Sequence, residues 1–428
     1  VLKEWVDSLD DVLACFFHEK IVGFLALVRN SEESLFVHLA AVEEKYRMAG
    51  AAMSLYARAC QVTAERGFRR LEGRISSQNT AVMNLYAAFG AIFSEILSKL
   101  TRHHYEHCPE YHKIIDVLGF DVSLRHSCEQ QPFLPVRLFK KYELHSVSKE
   151  KVTKTLTSSG TSGQAVSKIF LDADNVRSQS KTLNEIISSF IGKQRLPLLL
   201  LDTEMIKKDR SMYSARGAGI IGFSLFGRNI TYALNADMDI DIEKVTEFCE
   251  KHAADTILMF GYTYMIWQFV VRALENSGRK FHMKNAILFH IGGWKKLKDQ
   301  AVGAPEFNRR VQGVLGNVRV YNYYGMAEQL GSVFVECEHG HMHCSNYSDV
   351  IIRRSSDFSV AGQGERGLIE LLSVLPTSYP GHVLLTEDEG EVLGVDDCPC
   401  GRLGKYFKIH GRIRSAELRG CSDTYERR

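Results

Sequence analysis

The sequence predicts an α/β chain of two unequal domains, and three observations carry that prediction. Short apolar runs alternate with stretches of helical spacing along the whole chain. Runs such as "LPLLLLD" and "NAILFHIGG" are almost wholly apolar, the pattern of parallel strands buried on both faces. Composition is that of a globular protein, 45% hydrophobic and 24% charged over 428 residues, which excludes disordered and collagen-like classes.

The elements follow in order. "LACFFHEKIVGFLALV" predicts two strands around a His18-Glu19-Lys20 turn, "LFVHLAAV" a third, and "AAMSLYARACQVTAERG" a helix closed by glycine. "RRLEGRIS" predicts a strand, "NTAVMNLYAAFGA" a helix, and the stretch from Ile92 to Leu100 a last strand. "RHHYEH", from Arg102 to His107, reads as a solvated connection, which sets the domains at 1–105 and 106–428. Beyond it "HCPEYHKIIDVLGF" and "PFLPVRLFKKYEL" lead into the larger region, where "GYTYMIWQFVVRAL" reads as an amphipathic core helix.

A formal charge of +2 gives no reason to expect nucleic acid, and no apolar run is long enough to span a membrane. The cytoplasm is the expected compartment. Ten cysteines are too sparse for a disulfide scaffold. The chain opens on Val1 without a signal peptide, and an upstream piece is expected.

Three stretches carry chemistry. "YRMAGAA" sets Arg47, Gly50 and Ala52 between a strand and the start of a helix, where backbone N–H groups and the helix dipole can hold a pyrophosphate. Gly50 suits simple helix-on-sheet packing as well. "TLTSSGTSGQ", after a helical stretch and before the strand-like "AVSKIFLD", offers N–H and O–H donors to phosphates, though taken by itself it better suits a surface join. "CEHGHMHC" and "CPCGR" place thiols and imidazoles in C-x5-H and C-x-C spacing, a set suited to tetrahedral Zn²⁺. The ligands chosen are Cys337, His343, Cys398 and Cys400, with His339, His341 and Cys344 as rivals.

With "NTAVMNLYAAFGA", the first of these stretches resembles the later part of the Gcn5-related N-acetyltransferases over about the first hundred residues. The resemblance implies acetyl-CoA or another acyl-CoA bound at Arg47, Gly50 and Ala52, Asn79 on the cofactor arm, and Tyr86 as the acid that protonates the thiolate. The acceptor-shaping first helices of that family are absent or reduced.

From about residue 108, the phosphate-loop stretch is followed by "HIGGW", "YNYYGMAEQ", "SYPGHVLLTEDEG" and "IHGRIRSAELRGCSD" in a set order. Together they resemble the adenylate-forming superfamily, and within it the LuxE-type acyl-protein synthetases and relatives among the phenylacetate-CoA ligases. The resemblance implies ATP phosphates on Thr157, Ser158, Ser159, Gly160, Thr161, Ser162 and Gly163. It places adenine against Gly292 and Gly293, magnesium on Glu328 beyond Gly325, ribose on Asp388, and ribose or phosphate against Arg412. Most adenylate-forming enzymes continue into a mobile C-terminal lid with a catalytic lysine, whereas this sequence ends 16 residues after Arg412. The candidates for that charge are Lys168, Lys295 and Lys405. Cys421, near the chain end, is the acyl acceptor that the LuxE-type ending implies.

The expected protein is an acetyltransferase-like α/β domain joined to an adenylate-forming α/β domain without the full lid. It activates a carboxylic acid as acyl-AMP and passes the acyl group to its own cysteine, to CoA or to a carrier protein. An acyl carrier protein or a reductase is the expected partner. Two alternatives stand beside this reading: a docking scaffold with decayed nucleotide sites, and an N-acetyltransferase that the second domain supplies with acyl groups.

Overall fold

The computed structural model describes residues 11–17, 20–29, 32, 34–43, 51–67, 70–73, 91–157, 166–207 and 215–413. Two compact units divide between Ile92 and Phe93.

In the first unit β1 (Asp11–Phe17), β2 (Lys20–Arg29) and β3 (Ser34–Val42) are antiparallel neighbours, and β4 (Arg70–Gly73) lies parallel to β3. Helix α1 (Ala51–Glu65) makes the crossover between β3 and β4. Its Leu55, Tyr56, Ala59 and Val62 recur at helical spacing and bury against Leu25, Leu27, Leu35 and Val37 of the sheet. Gly67, at φ +76, follows the end of the helix.

The second unit opens with α2 (Ala91–His107), where the sequence reading expected a strand and then a solvated connection. Phe93, Leu97, Leu100 and His104 are all buried, and their spacing of three and four residues is that of one helix face. The expected alternation misread this period. His104 lies fully inside, with Nδ1 2.7 Å from Ser146 Oγ and Nε2 3.1 Å from the Pro376 carbonyl, whereas Arg102, Glu106 and His107 of the same stretch are exposed. α2 runs through residue 105, past the division between the units.

Next come α3 (Pro109–Leu118), β5 (Leu134–Pro135), α4 (Leu138–Lys141), β6 (Val152–Thr157), β7 (Lys168–Asp172) and α5 (Ala173–Ile191). β6 replaces the helical stretch expected before the phosphate loop. Its β-branched Val152, Thr155 and Thr157 pair with β7 as an antiparallel hairpin.

Then follow β8 (Leu196–Thr203), α6 (Ala215–Ser224), β9 (Gly227–Leu234), α7 (Ile242–Lys251) and β10 (Ile257–Tyr262). Beyond a helical segment whose Ile266–Val271 stretch is π-helical lie β11 (Met283–Ile291), α8 (Ala304–Leu315) and β12 (Gly316–Tyr324). β9, β8, β10, β11 and β12 are neighbours in that order and all parallel. Leu198 to Leu201 and Leu258 to Phe260 are at most 1% exposed, as expected of strands covered by helices on both faces. Each such side chain contributes about 1.5–3 kcal/mol by leaving water.

The sheet continues antiparallel through β13 (Phe334–Glu336), β14 (Met342–His343) and β18 (Lys405–Arg412) to β17 (Val383–Val395), β16 (Gly367–Ser373) and β15 (Ser348–Arg353). β5 pairs with β17 beside this path. No described helix is long and apolar enough to cross a membrane.

Candidate functional site

Parallel strands of an open α/β sheet point their carboxyl ends at a common crevice. β12 ends there at Tyr324, and Gly325 turns the chain into a short helical turn that carries Glu328. Glu328 is 7% exposed, and burial pushes its carboxyl pKa up. The Ser167 hydroxyl and the charges of Lys140 and Arg412 partly offset that rise. Thr157 and Lys168 face each other across the β6–β7 hairpin, so both flanks of the phosphate-loop stretch are pinned. Ser167, fully buried on the second flank, meets Glu328. Ser158, Ser159, Gly160, Thr161, Ser162 and Gly163 lie outside the described residues. Gly381 completes the wall behind Glu328: a Cβ there would stand 2.7 Å from the Glu328 carbonyl oxygen and closer still to the Tyr379 ring.

Asp388 lies on β17 directly opposite Arg412 of β18, with the Arg412 Nε 3.7 Å from its Oδ1. The Tyr324 hydroxyl donates to Oδ2 at 2.6 Å. Burial raises the Asp388 pKa, and Tyr324 and Arg412 work against that rise. The Arg412 charge therefore acts on both Asp388 and Glu328. The structure brings together the buried Glu328 carboxylate, the partly buried Asp388 carboxylate, the Arg412 cation and a phenol at the end of the parallel strands. Tyr324 was missed as a site residue, although the repeated tyrosine of "YNYYG" just before Gly325 was the available signal.

Gly292 and Gly293 follow β11 at the same end of the sheet. Gly292 holds φ +87, a conformation that favours glycine, and a Cβ there would meet the Tyr262 ring at 3.6 Å. β8 is flanked by β9 on one side and β10 on the other, which makes its end the switch point of the order. There Arg216 of α6 forms a fully buried ion pair with Asp202 of β8, and the Tyr262 hydroxyl donates to the Arg216 carbonyl at 3.2 Å.

Two of the three lysine candidates have structural partners. Lys168 Nζ is 2.9 Å from Glu143 Oε1, and Lys405 Nζ is 2.9 Å from Asp349 Oδ2 and 2.7 Å from the Val350 carbonyl. The Lys295 side chain lies outside the described residues. Closer to the site, Arg137 at the start of α4 forms an ion pair with Glu387 beside Asp388.

Cys337, His343, Cys398 and Cys400 converge with their ligand atoms all within 4.8 Å of one another. The Cys337 and Cys398 sulfurs stand 3.9 Å apart, and Cys400 Sγ is 3.3 Å from His343 Nε2. His343 Nδ1 is buried with no hydrogen-bond partner. Burial holds the Cys337 thiol up at about 12 and the His343 ring down at about 4. These are soft donors in a largely buried cluster, and the set suits a tetrahedral zinc ion. Of the rivals, His341 touches Cys398 Sγ through Nδ1 at 3.2 Å, while Cys344 lies partly buried near Asp349 and Lys405.

Arg47, Gly50, Asn79, Tyr86 and Cys421 lie outside the described residues. Ala52 lies in the first turn of α1.

The family model described as acyl-protein synthetase, LuxE, matches residues 86–428, and that of the acetyltransferase (GNAT) family matches residues 2–91. The chain is 23% identical over 343 residues to a long-chain-fatty-acid–luciferin-component ligase of Aliivibrio fischeri, across 77% of this chain and 87% of that protein. The Vibrio harveyi ligase of the same description is 21% identical over 339 residues, across 77% and 86%. Among solved structures, 2-hydroxyisobutyryl-CoA ligase in an open conformation with 2-HIB-AMP and CoA matches with a TM-score of 0.59 at 14% identity, over 76% of this chain and 70% of that one. The same ligase in its thioesterification state gives 0.58 at 16%, over 76% and 69%. At such identities the likeness to these structures is one of fold.

Proposed function

The chain belongs to the LuxE acyl-protein synthetase family, and from that premise we propose that it activates a fatty or related carboxylic acid with ATP and transfers the acyl group to a thiol. The observation that carries this reading is the grouping of Glu328, Asp388, Tyr324 and Arg412 around one crevice. In the first step a carboxylate oxygen attacks the α-phosphorus, the bond to the β-phosphate breaks, and pyrophosphate leaves. In the second step a thiolate attacks the acyl carbon, the bond to AMP breaks, and a thioester forms. Asp388 holds the ribose hydroxyls, Arg412 faces the ribose and phosphate, and Glu328 would hold a magnesium ion, which would supply charge neutralisation at the phosphates. Thr157 to Gly163 surround the phosphates, and Gly292 and Gly293 border the adenine. The thiol is that of Cys421, CoA or a carrier protein.

The likeness of the relatives to long-chain fatty-acid ligases favours a fatty acid as substrate. We assign structural zinc to Cys337, His343, Cys398 and Cys400, whose four protein ligands leave no open position for catalysis. The match of residues 2–91 supports a second site for acetyl-CoA or another acyl-CoA at the start of α1, with Arg47, Gly50, Ala52, Asn79 and Tyr86 in the roles given above. The cytoplasm suits thiol chemistry of this kind, with an acyl carrier protein or a reductase as partner. Pyrophosphate exchange across a panel of carboxylic acids of increasing chain length tests the reading. Exchange that depends on both acid and Mg²⁺ is expected, and its absence with every acid would reject adenylation.

A further inference from the structure

Three thiols and two imidazoles meet beside the antiparallel half of the large sheet. Cys337 lies just past β13, His343 on β14, and Cys398 and Cys400 in the loop before β18, with His341 against Cys398. We propose that Cys337 and Cys398 are an oxidative modification site for peroxides, and that their joining as a disulfide releases the zinc and weakens the nucleotide site. This rests on the zinc assignment above.

The geometry favours that pair. The two sulfurs stand 3.9 Å apart, and rotation of the side chains can bring them to the roughly 2.05 Å of a disulfide bond. Both cysteines are nearly covered, at 4% and 5% exposure, whereas Cys400 and His341 beside them are half-buried. His341 Nδ1 is 3.2 Å from Cys398 Sγ, so a small oxidant meets Cys398 from the His341 side.

Cysteines hold zinc as thiolates, the nucleophilic form. Cys398 Sγ attacks one peroxide oxygen, the O–O bond breaks, and hydroxide leaves behind a sulfenic acid. Cys337 Sγ then attacks Cys398 Sγ, the S–O bond breaks, and a second hydroxide leaves. The two thiolates give up two electrons and the peroxide gains them. Two protons from solvent turn both hydroxides into water, and the cluster has lost two of its four ligands.

The site borders both partners of Asp388. β13, which ends at the residue before Cys337, pairs Phe334 with Tyr324, the donor to Asp388. β14 pairs His343 with Tyr406 near the start of β18, and Arg412 of that strand faces Asp388. Arg402, two residues past Cys400, lies over the Phe190 ring at 3.6 Å and donates to the Ser189 carbonyl of α5 at 3.2 Å. In the disulfide form His343 and Cys400 are released, and these three connections no longer converge on one ion.

The test uses the full chain with its zinc, treated with hydrogen peroxide in rising excess. Zinc release is followed with a chromogenic chelator, the disulfide by mass spectrometry of unreduced peptides, and MgATP affinity by calorimetry, while thermal unfolding establishes that the oxidised protein is folded. The expected result is one zinc released per disulfide, the Cys337 and Cys398 peptides linked, and MgATP bound about tenfold or more weakly. Dithiothreitol with added zinc should reverse all three. Cys249→Ser, on α7, should respond as the parent does. Zinc retained under excess peroxide, a disulfide between other cysteines, or unchanged MgATP affinity once Cys337 and Cys398 are joined would overturn the proposal. If the parent holds no zinc yet forms this disulfide and loses MgATP affinity, the disulfide switch stands and the zinc assignment falls.

Discussion

The Tyr324 hydroxyl donates to Asp388 Oδ2 across 2.6 Å, from the end of the strand that leads into Gly325 and Glu328. One hydrogen bond thus links the carboxylate assigned to the ribose with the strand that positions the carboxylate assigned to the metal. Burial and the adjacent Asp388 hold the phenol well above its ordinary pKa, so it remains a donor throughout the working pH range.

Tyr324→Phe removes that donor and leaves a buried carboxylate short of a partner. A hydrogen bond to a charged group is worth about 1.5–3 kcal/mol, so MgATP is expected to bind roughly tenfold to a hundredfold more weakly. Calorimetric titration of the folded variant measures this. An unchanged dissociation constant would remove Asp388 and its phenol from the nucleotide site.

Glu328→Gln is expected to separate activity from stability. Loss of a metal ligand should slow acid-dependent pyrophosphate exchange at least about tenfold, equivalent to 1.4 kcal/mol in the barrier. Stability should move the other way. Burial raises the Glu328 pKa in the folded protein, so its stabilising contribution is complete below the unfolded-state pKa and is lost as pH rises through the folded value. Near neutrality the ionised carboxylate therefore opposes folding when no metal is bound, and the amide does not. The variant without Mg²⁺ is expected to melt above the parent at pH 7, and the difference should shrink as pH falls toward the unfolded-state pKa. A lower melting temperature at pH 7 would show that Glu328 is held by interactions that outweigh its burial.

Much of this arrangement could be read from the sequence because its signals are local. The runs "LPLLLLD" and "NAILFHIGG" are β8 and β11 with flanking residues, and the C-x5-H and C-x-C spacings picked out the four residues that converge. The errors have local causes too. Apolar residues on one face of α2 read as a strand because Ile92 and Ile96 obscure the three-four spacing of Phe93, Leu97, Leu100 and His104. His104 was read as solvated because partners at Ser146 and Pro376 are brought to it only by the fold. Ser167 escaped notice for the same reason: it acts on Glu328 across more than 150 residues of chain.

Cys421→Ser tests the acceptor. A free cysteine has a pKa of about 8.5 and is only slightly ionised at neutral pH. Incubation with ATP and a labelled acid should give a hydroxylamine-sensitive protein adduct in the parent and none in the variant, with pyrophosphate exchange intact in both. An adduct that persists in the variant would move the acceptor to another thiol of the chain. Pyrophosphate exchange without any adduct in the parent would move it to CoA or a carrier protein.

The cysteine–histidine cluster should govern the nucleotide site from a distance. His343 lies on β14 and pairs with Tyr406 of β18, and six residues along β18 Arg412 faces Asp388. Zinc bound by Cys337, His343, Cys398 and Cys400 would fasten β14 and the loop before β18 to each other. Without it, closely placed donors remain in a buried pocket, two of them thiols that burial raises above their ordinary pKa. Protein prepared without a nickel column is expected to carry about one zinc per chain, measured by elemental analysis. Cys398→Ser with Cys400→Ser should abolish it. Because metal-binding free energy is also folding free energy, losing even 2 kcal/mol of it would lower the melting temperature by roughly 4–8 °C. MgATP affinity should fall as well, because Arg412 would no longer be held in register with Asp388. Full zinc content in the double variant would reject the ligand set, and intact MgATP affinity in zinc-free protein would confine the metal's role to its own two loops.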